Sequence, residues 1–200
     1  MPSLAEQQSL IEQQNAIERK QQMAERTPSI IAAQTLSAVA VMALIGALSV
    51  WADEPWLAAS LGPSVLMQTL SSEQKTATMW DTCAGQLIGL AAGFAGVYAV
   101  GAQAVPALAS GEHLTWVRVA AVAIAFVLLI PIQQALQAKH PPAGSAALLV
   151  ALGFEPASWH TVWVMIVGII MITVFGEGAR LVVLRVKYGP AAAKVLAQKP

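Results

Sequence analysis

Charge is scarce in this chain of 200 residues, which has 11 Lys and Arg, 11 Asp and Glu and a formal net charge of zero. No basic tract is interleaved with aromatic residues, so no nucleic-acid partner is expected. A single cysteine, Cys83, excludes an intramolecular disulfide and a Cys-rich metal site. The chain also lacks converging carboxylate pairs, an HExxH motif, a phosphate loop and a histidine metal motif. These absences predict a protein that is not an enzyme and that has no metal or other cofactor.

Apolar residues make up 56% of the chain and are concentrated in long runs. Four runs reach the ~20 residues that a transmembrane helix needs. They cover residues 29–51, 79–100, 116–136 and 159–177. The tryptophans lie at or near the ends of predicted segments, where the headgroup layer favours their rings. The sequence therefore predicts an integral membrane protein rather than a soluble protein with buried helices.

Two further apolar stretches, 56–70 and 141–153, are too short to cross a bilayer as regular helices. Each contains a Pro, Gly and Ser cluster. Each also lies between two of the long runs, so the order long, short, long segment occurs twice along the chain. The predicted fold is all-α, with four long transmembrane helices and two short broken or re-entrant helices in two inverted three-segment repeats. The predicted divisions are a polar N-terminal segment (1–28), a transmembrane domain (29–178, repeats about 29–102 and 114–178) and a basic C-terminal tail (179–200).

The segment from His140 to Ser145 (His-Pro-Pro-Ala-Gly-Ser) carries the strongest functional signal. Its prolines forbid a smooth helix, and broken backbone at membrane depth is tolerated only where protein buries it or it lines a cavity. A helix that begins there would direct free N–H groups and a positive dipole end at a ligand. The pattern predicts an anion site in the membrane, formed by helix N-termini, hydroxyls and neutral donors.

Basic residues predict the topology. Both terminal segments carry Lys and Arg, which places both in the cytoplasm and makes the number of crossings even. With six crossings, Lys75 and Lys139 are also cytoplasmic and Arg118 is outside. With four crossings and re-entrant short segments, Lys75 and Lys139 lie outside. The charge rule favours six. The expected location is a bacterial inner (plasma) membrane.

Two features outside these breaks also matter. Gly85, Gly89 and Gly93 recur every four residues, which predicts close helix packing, within the monomer or in a homo-oligomer. Asp81 lies one turn before Gly85, where it is interpreted either as an acid at the start of a helix or as a proton-coupling carboxylate.

At the residue level, the run from Lys139 to Leu149 resembles the signature of the HPP family of integral membrane proteins, which takes its name from the His-Pro-Pro tripeptide. The runs 61–64 and 80–87 resemble the family's other well-marked region. Two departures are visible, because relatives often have Asn in place of Asp81 and Gly-His in place of Gly85-Gln86. A change at a substrate-binding position would alter the substrate.

The resemblance implies transport of a small inorganic anion across the lipid bilayer, with nitrite as the leading candidate, since members in cyanobacteria and plastids are associated with nitrite transport. A passive channel and a structural or regulatory membrane subunit remain the alternatives. The candidate substrate-binding residues are Gly62, Pro63, Ser64, Gln86, His140, Pro141, Pro142, Gly144 and Ser145.

Overall fold

The computed structural model describes residues 27–57, 60–108, 111 and 113–197. Within these residues the chain is all-helical, as predicted. The helices are α1 (Pro28–Ala52), α2 (Leu61–Leu70), α3 (Met79–Ala99), α4 (Trp116–Ala135), α5 (Ala143–Ala151) and α6 (Trp159–Ala197), with short 3-10 turns at Lys75–Ala77 and Ala102–Ala104. The predicted polar N-terminal segment lies almost entirely outside the described residues.

The long helices begin where the sequence supplies a suitable first residue. Thr27 precedes α1 in an extended conformation, and Pro28 occupies the first helical position, where its missing N–H has no cost. Thr78 and Thr115 cap α3 and α4, since each hydroxyl accepts the backbone N–H of the residue three positions later. Four helices are long and apolar enough to cross a membrane, namely α3, α4, α1 and the part of α6 up to Pro190. The prediction of four long spans is confirmed.

The last helix is longer than the predicted span. α6 continues to Ala197 with a kink at Gly189, where φ is 80°. The boundary expected at residue 179 lies within this helix. The charged residues that suggested a boundary do not interrupt the helix, because Glu177 and Arg180 pair with each other one turn apart at 2.7 Å.

The helix contacts divide the fold into two equivalent halves, α1–α3 and α4–α6. In the first half α1 and α2 pack together and both contact α6. In the second half α4 and α5 pack together and both contact α3, and α3 contacts α6. Exchanging α1 with α4, α2 with α5 and α3 with α6 leaves this pattern unchanged. Two structural repeats related by a pseudo-twofold axis produce this pattern.

The short helix α2 runs antiparallel to α3. Near the end of α2, Gln68 Nε2 lies 3.4 Å from Thr82 Oγ1 at the start of α3. Near the beginning of α2, Ser64 Oγ accepts a hydrogen bond from Gln86 Nε2 at 2.7 Å. Residues later in α2 therefore lie beside residues earlier in α3.

The other short helix, α5, runs parallel to α3. A Cβ atom at Gly89 would overlap the carbonyl oxygen of Ala143, and one at Gly93 would lie 2.8 Å from that of Ala147. Residues later in α5 therefore lie beside residues later in α3. Since α2 is antiparallel and α5 parallel to the same helix, the two short helices run in opposite directions.

The long helices are inverted in the same way. The hydroxyl of Tyr98, at the end of α3, donates to the carbonyl of Ala157, just before α6 begins, so α3 and α6 are antiparallel. α1 ends beside the start of α6, where Glu54 and His160 approach to 3.1 Å. α4 ends beside the start of α3, where the side chain of Gln133 lies 3.5 Å from the Gly85 carbonyl. All corresponding helices are therefore antiparallel, and the predicted inverted repeat is confirmed.

Successive helices therefore run in opposite directions, which is the order that a path of six crossings requires. With a rise of ~1.5 Å per residue, α2 and α5 cover about 15 Å, half of a ~30 Å hydrocarbon layer. Each begins in the middle of the bundle, α2 near Gln86 and α5 against Gly89. The described residues that directly precede them, 53–57, 60 and 136–142, are not helical. The six-crossing path predicted from the basic residues therefore fits the structure better than re-entrant loops.

Glycines on the third helix of each half allow this close packing. Gly89 and Gly93 of α3 lie against the backbone of α5, and Gly176 of α6 lies against the side chain of Gln68 on α2. The predicted glycine stripe is confirmed as a packing surface, and the partner that the structure shows is within the monomer.

Two arginines are buried near the far ends of the short helices. Arg118, 5% exposed, donates to the carbonyl of Ala151 at 3.3 Å, where α5 ends. Arg180, 1% exposed, donates to the carbonyl of Ser72 at 3.0 Å, just beyond α2. Arg118 thus satisfies a carbonyl that the end of α5 leaves without an intrahelical donor, and Arg180 satisfies a carbonyl in the loop after α2. The sequence predicts Arg118 only as a charge on the outer side of the membrane and does not predict its burial.

Candidate functional site

A chain of buried hydrogen bonds joins the two broken segments. Ser64 Oγ lies 2.9 Å from His140 Nε2, and Gln86 Nε2 donates to Ser64 Oγ at 2.7 Å. The other ring nitrogen, His140 Nδ1, lies 2.9 Å from the carbonyl oxygen of Thr76. The side chains of Ser64, Gln86 and His140 are fully buried. The structure thus brings together one candidate residue from α2, one from α3 and the histidine of the His-Pro-Pro segment.

The partners fix the direction of each bond when His140 is neutral. A backbone carbonyl can only accept, so Nδ1 carries the proton and donates to Thr76. Nε2 must then accept, and the hydroxyl of Ser64 donates to it. The oxygen of Ser64 in turn accepts from the amide of Gln86. We name this series, from Gln86 through Ser64 to His140, the buried relay.

Local backbone features hold His140 in the relay. Gly85 has no Cβ, and a Cβ at that position would overlap the Cβ of His140, so α3 and the histidine segment can approach closely. The side chain of Gln133, on α4, donates to the carbonyl of His140 at 3.3 Å. The residue is therefore positioned from α3, α4 and the 71–78 loop together.

A groove of about 440 Å³ opens beside the relay, between α2 and the start of α5. It is lined by Pro63, Leu66, Met67, Leu70, Ser71, Pro141, Pro142 and Ser145. Four of the predicted site residues therefore line one groove, and Ser145 is the predicted hydroxyl that lies there. The other predicted serine has different surroundings, since Ser64 is buried in the relay.

The first N–H groups of α5 are not free. Those of Ala143, Gly144 and Ser145 donate to the carbonyls of the three residues that precede the helix, at 2.9, 3.1 and 3.0 Å. The expectation of unoccupied donors at this helix start is therefore wrong for these groups, because the Pro-Pro turn already supplies their acceptors. The helix dipole remains, since it comes from the alignment of the peptide units.

The two candidate glycines have separate surroundings. A Cβ at Gly62 would meet nothing within 4 Å. A Cβ at Gly144 would lie 3.4 Å from the ring of Phe126 on α4. Gly144 therefore allows α5 to pack against α4, a role that the sequence had not suggested.

Acceptors outnumber donors around the relay. Buried oxygens without a hydrogen-bond partner belong to Ser60, Gln68, Asp81 and Gln86. Asp81 is 1% exposed, and its other carboxylate oxygen accepts from the hydroxyl of Thr78 at 2.8 Å. This cap supports the interpretation of Asp81 as an acid at the start of a helix, without testing a coupling role. Within the described residues, no group of three His, Cys, Asp or Glu side chains could hold a metal ion.

Sequence reasoning missed two participants in the site. Gln68 lies four residues after Ser64 on the same helix face, so its polarity in an apolar helix could have revealed it. Thr76 takes part through its backbone carbonyl, and no side-chain pattern signals such a contact.

The comparison with known families agrees with this architecture. Residues 23–193 match the family described as HPP, transmembrane region. The chain belongs to the HPP transmembrane family. No curated protein and no solved structure matches the chain. Membership in the HPP family, together with the apolar helices, establishes an integral membrane protein and supports a role in membrane transport or as a channel.

Proposed function

We propose that this HPP protein transports a small inorganic anion across the membrane, with nitrite as the first candidate. The observation that carries the proposal is the convergence of the starts of α2 and α5 in the middle of the bundle. Both helix starts carry the positive end of a dipole, and they point toward each other from opposite directions. Two half-helices that meet in this way are a known means of binding an anionic group without a full positive charge.

The groove between α2 and α5 is the proposed position of the anion. It lies next to both helix starts, and Ser145 lines it. Because the first N–H groups of α5 already have acceptors, we assign the contact to the hydroxyl and the two helix dipoles rather than to free backbone donors. Nitrite fits this set as a small monovalent anion with two acceptor oxygens, and the family resemblance implies it.

We further propose that one end of the bundle faces the cytoplasm. This basic end contains the start of α1, the end of α4 and the exposed side chains of Lys75 and Lys139. The opposite end contains Asp53 and Glu54, and its arginine, Arg118, is buried. The excess of basic residues at one end favours a cytoplasmic position for it and for both ends of the transmembrane region. A bacterial inner membrane fits this orientation.

Cysteine labelling tests the orientation. In a Cys83→Ser background, Gln74→Cys and Gln137→Cys should resist an impermeant thiol reagent added to whole cells, because both exposed residues lie at the basic end. Gln103→Cys, exposed at the opposite end, is the matched control and should label readily. The reverse labelling pattern would contradict the orientation.

The anion site is tested by comparing two serine variants in proteoliposomes. Ser145→Ala should raise the KM for nitrite about 2- to 10-fold, the loss expected for one hydrogen bond, while leaving thermal stability unchanged. Ser64→Ala should instead lower the unfolding temperature, because it leaves His140 Nε2 and one Gln86 N–H without their relay partner. Unchanged KM in Ser145→Ala would reject the groove as the site.

Flux in the wild-type protein separates the proposed function from its alternatives. Saturable uptake of nitrite that depends on the protein supports a transporter. Flux that does not saturate would indicate a channel, and no flux above that of protein-free vesicles would indicate a structural or regulatory subunit.

A further inference from the structure

An apolar cleft of about 520 Å³ lies between α3 and α6, away from the groove beside the relay. We name it the α3–α6 cleft. Its floor includes the buried or half-buried side chains of Leu90, Phe94 and Ile166. Its edges are exposed, with Leu87 on α3 and Trp159 on α6. Because both helices span the membrane, this cleft opens onto the lipid hydrocarbon rather than onto water.

The α3–α6 cleft has the length of one membrane leaflet. It runs along α3 from Leu87 to Tyr98, about 16 Å at a rise of ~1.5 Å per residue, and half of a ~30 Å hydrocarbon layer is ~15 Å. Tyr98 lies one residue before the end of α3, and Trp159 is the first residue of α6. Tyr and Trp are favoured in the headgroup layer. The cleft therefore extends from the headgroup layer to the middle of the bilayer.

The width of the cleft suits a hydrocarbon chain rather than a helix of a second copy. A volume of about 520 Å³ over a length of about 16 Å gives a mean cross-section of about 30 Å². An α-helix with its side chains is ~10 Å across and has a cross-section of ~80 Å². A helix is thus too wide to enter the cleft, whereas an extended acyl chain is a single file of methylene groups.

The cleft lies on the boundary between two sets of packed helices. One set is α1, α2 and α6, and the other is α3, α4 and α5. At the mouth of the cleft the two sets are joined by the hydroxyl of Tyr98, which donates to the carbonyl of Ala157 at 3.2 Å. An acyl chain in the cleft would contact α3 and α6 together, so its burial would add apolar contact between the two sets.

The charges around the mouth of the cleft favour one kind of headgroup. This end of the bundle carries Asp53 and Glu54, and Glu155 lies two residues before Ala157, which lines the cleft. Glu155 is half-buried, and its carboxylate forms no ion pair within the described residues. Arg118 is the only Lys or Arg of this end in the described part of the chain, and it is buried. Acidic surroundings attract an ammonium group and repel a headgroup with a net negative charge.

We propose that the α3–α6 cleft binds one acyl chain of a phosphatidylethanolamine molecule. The chain lies along Phe94 and Ile166, and the ammonium group of the headgroup lies at Glu155. The lipid belongs to the leaflet at the end of the bundle opposite the basic end. This binding does not depend on which ion the protein carries, so it goes beyond the proposed function.

Photolabelling of the purified protein in detergent locates the lipid. The probe is phosphatidylethanolamine with a diazirine in the middle of one acyl chain, and labelled peptides are identified by mass spectrometry. Label should be concentrated on residues 87–98 and 158–166 rather than on the exposed face of α1. Label spread evenly over the lipid-facing helices of the wild type would overturn the proposal.

A variant that fills the cleft tests the same assignment. Ala91→Trp places a ring at an exposed position that lines the cleft and should remove most of the label. Ala40→Trp, at an exposed alanine on α1, is the matched control and should keep the label. Light scattering in detergent gives the oligomeric state of each protein. If Ala91→Trp converts a dimer into a monomer, the cleft is an interface between copies and the proposal is wrong.

Competition measures the headgroup preference. Unlabelled phosphatidylethanolamine should displace the probe from the wild type more effectively than phosphatidylglycerol with the same acyl chains. Glu155→Gln should reduce this preference about 2- to 5-fold, as expected for the loss of one partly exposed ion pair. Equal displacement of the probe from the wild type by both lipids would overturn the headgroup assignment.

Discussion

Gly89→Leu is expected to destabilise the folded protein strongly. A side chain at Gly89 would overlap the carbonyl oxygen of Ala143 and lie within 3.1 Å of its Cβ, so the obstacle is backbone at the very start of α5. Backbone at that point is fixed by the Pro-Pro turn and cannot move aside as a flexible side chain can. We expect a loss of folding free energy of about 3 kcal/mol, at the upper end of the range for overpacking.

The measurement is the yield of monodisperse protein in detergent and its thermal unfolding. Gly178→Leu is the matched control, because a Cβ at that helical glycine would meet nothing within 4 Å. The control should fold as the wild type does. A well-folded Gly89→Leu protein with altered ion preference would contradict the packing role and place the glycine stripe on the permeation path.

The sequence predicts the spans well because lipid imposes a simple rule. A segment of ~20 apolar residues in a bilayer must be helical, since no other conformation satisfies its backbone there. The predicted runs 79–100 and 116–136 accordingly differ by one residue from α3 (Met79–Ala99) and α4 (Trp116–Ala135). The inverted repeat was also predictable, because the order of long and short segments survives even where individual residues diverge.

The details of the site depend on contacts that no local pattern encodes. Ser64 and Ser145 look alike in sequence, yet one bonds to His140 and the other lines the groove. Ser64 lies in α2 beside Gln86 and His140, whereas Ser145 lies in the first turn of α5. Gly144 looks like a residue kept small for a ligand, but the ring of Phe126 occupies that side.

Arg180→Met is expected to destabilise the protein by about 3–5 kcal/mol, the cost of breaking a buried ion pair by removing one partner. Arg180 is 1% exposed and donates to both carboxylate oxygens of Glu177, at 2.8 and 2.7 Å. The third nitrogen of the guanidinium, Nη1, donates to the carbonyl of Ser72 at 3.0 Å, which ties α6 to the chain just after α2. The substitution would leave a largely buried carboxylate without a counter-charge and a backbone carbonyl without a donor.

Thermal unfolding in detergent measures this loss, and two further variants identify its cause. Arg185→Met removes an exposed arginine from the same helix and should change stability by no more than about 0.5 kcal/mol. The double variant Arg180→Met with Glu177→Met should recover much of the stability, because no unpaired charge remains. If the double variant is as unstable as the single one, the stabilisation comes from the bond to Ser72 rather than from the ion pair. Equal stability of Arg180→Met and wild type would show that neither contact holds the end of α2 against α6.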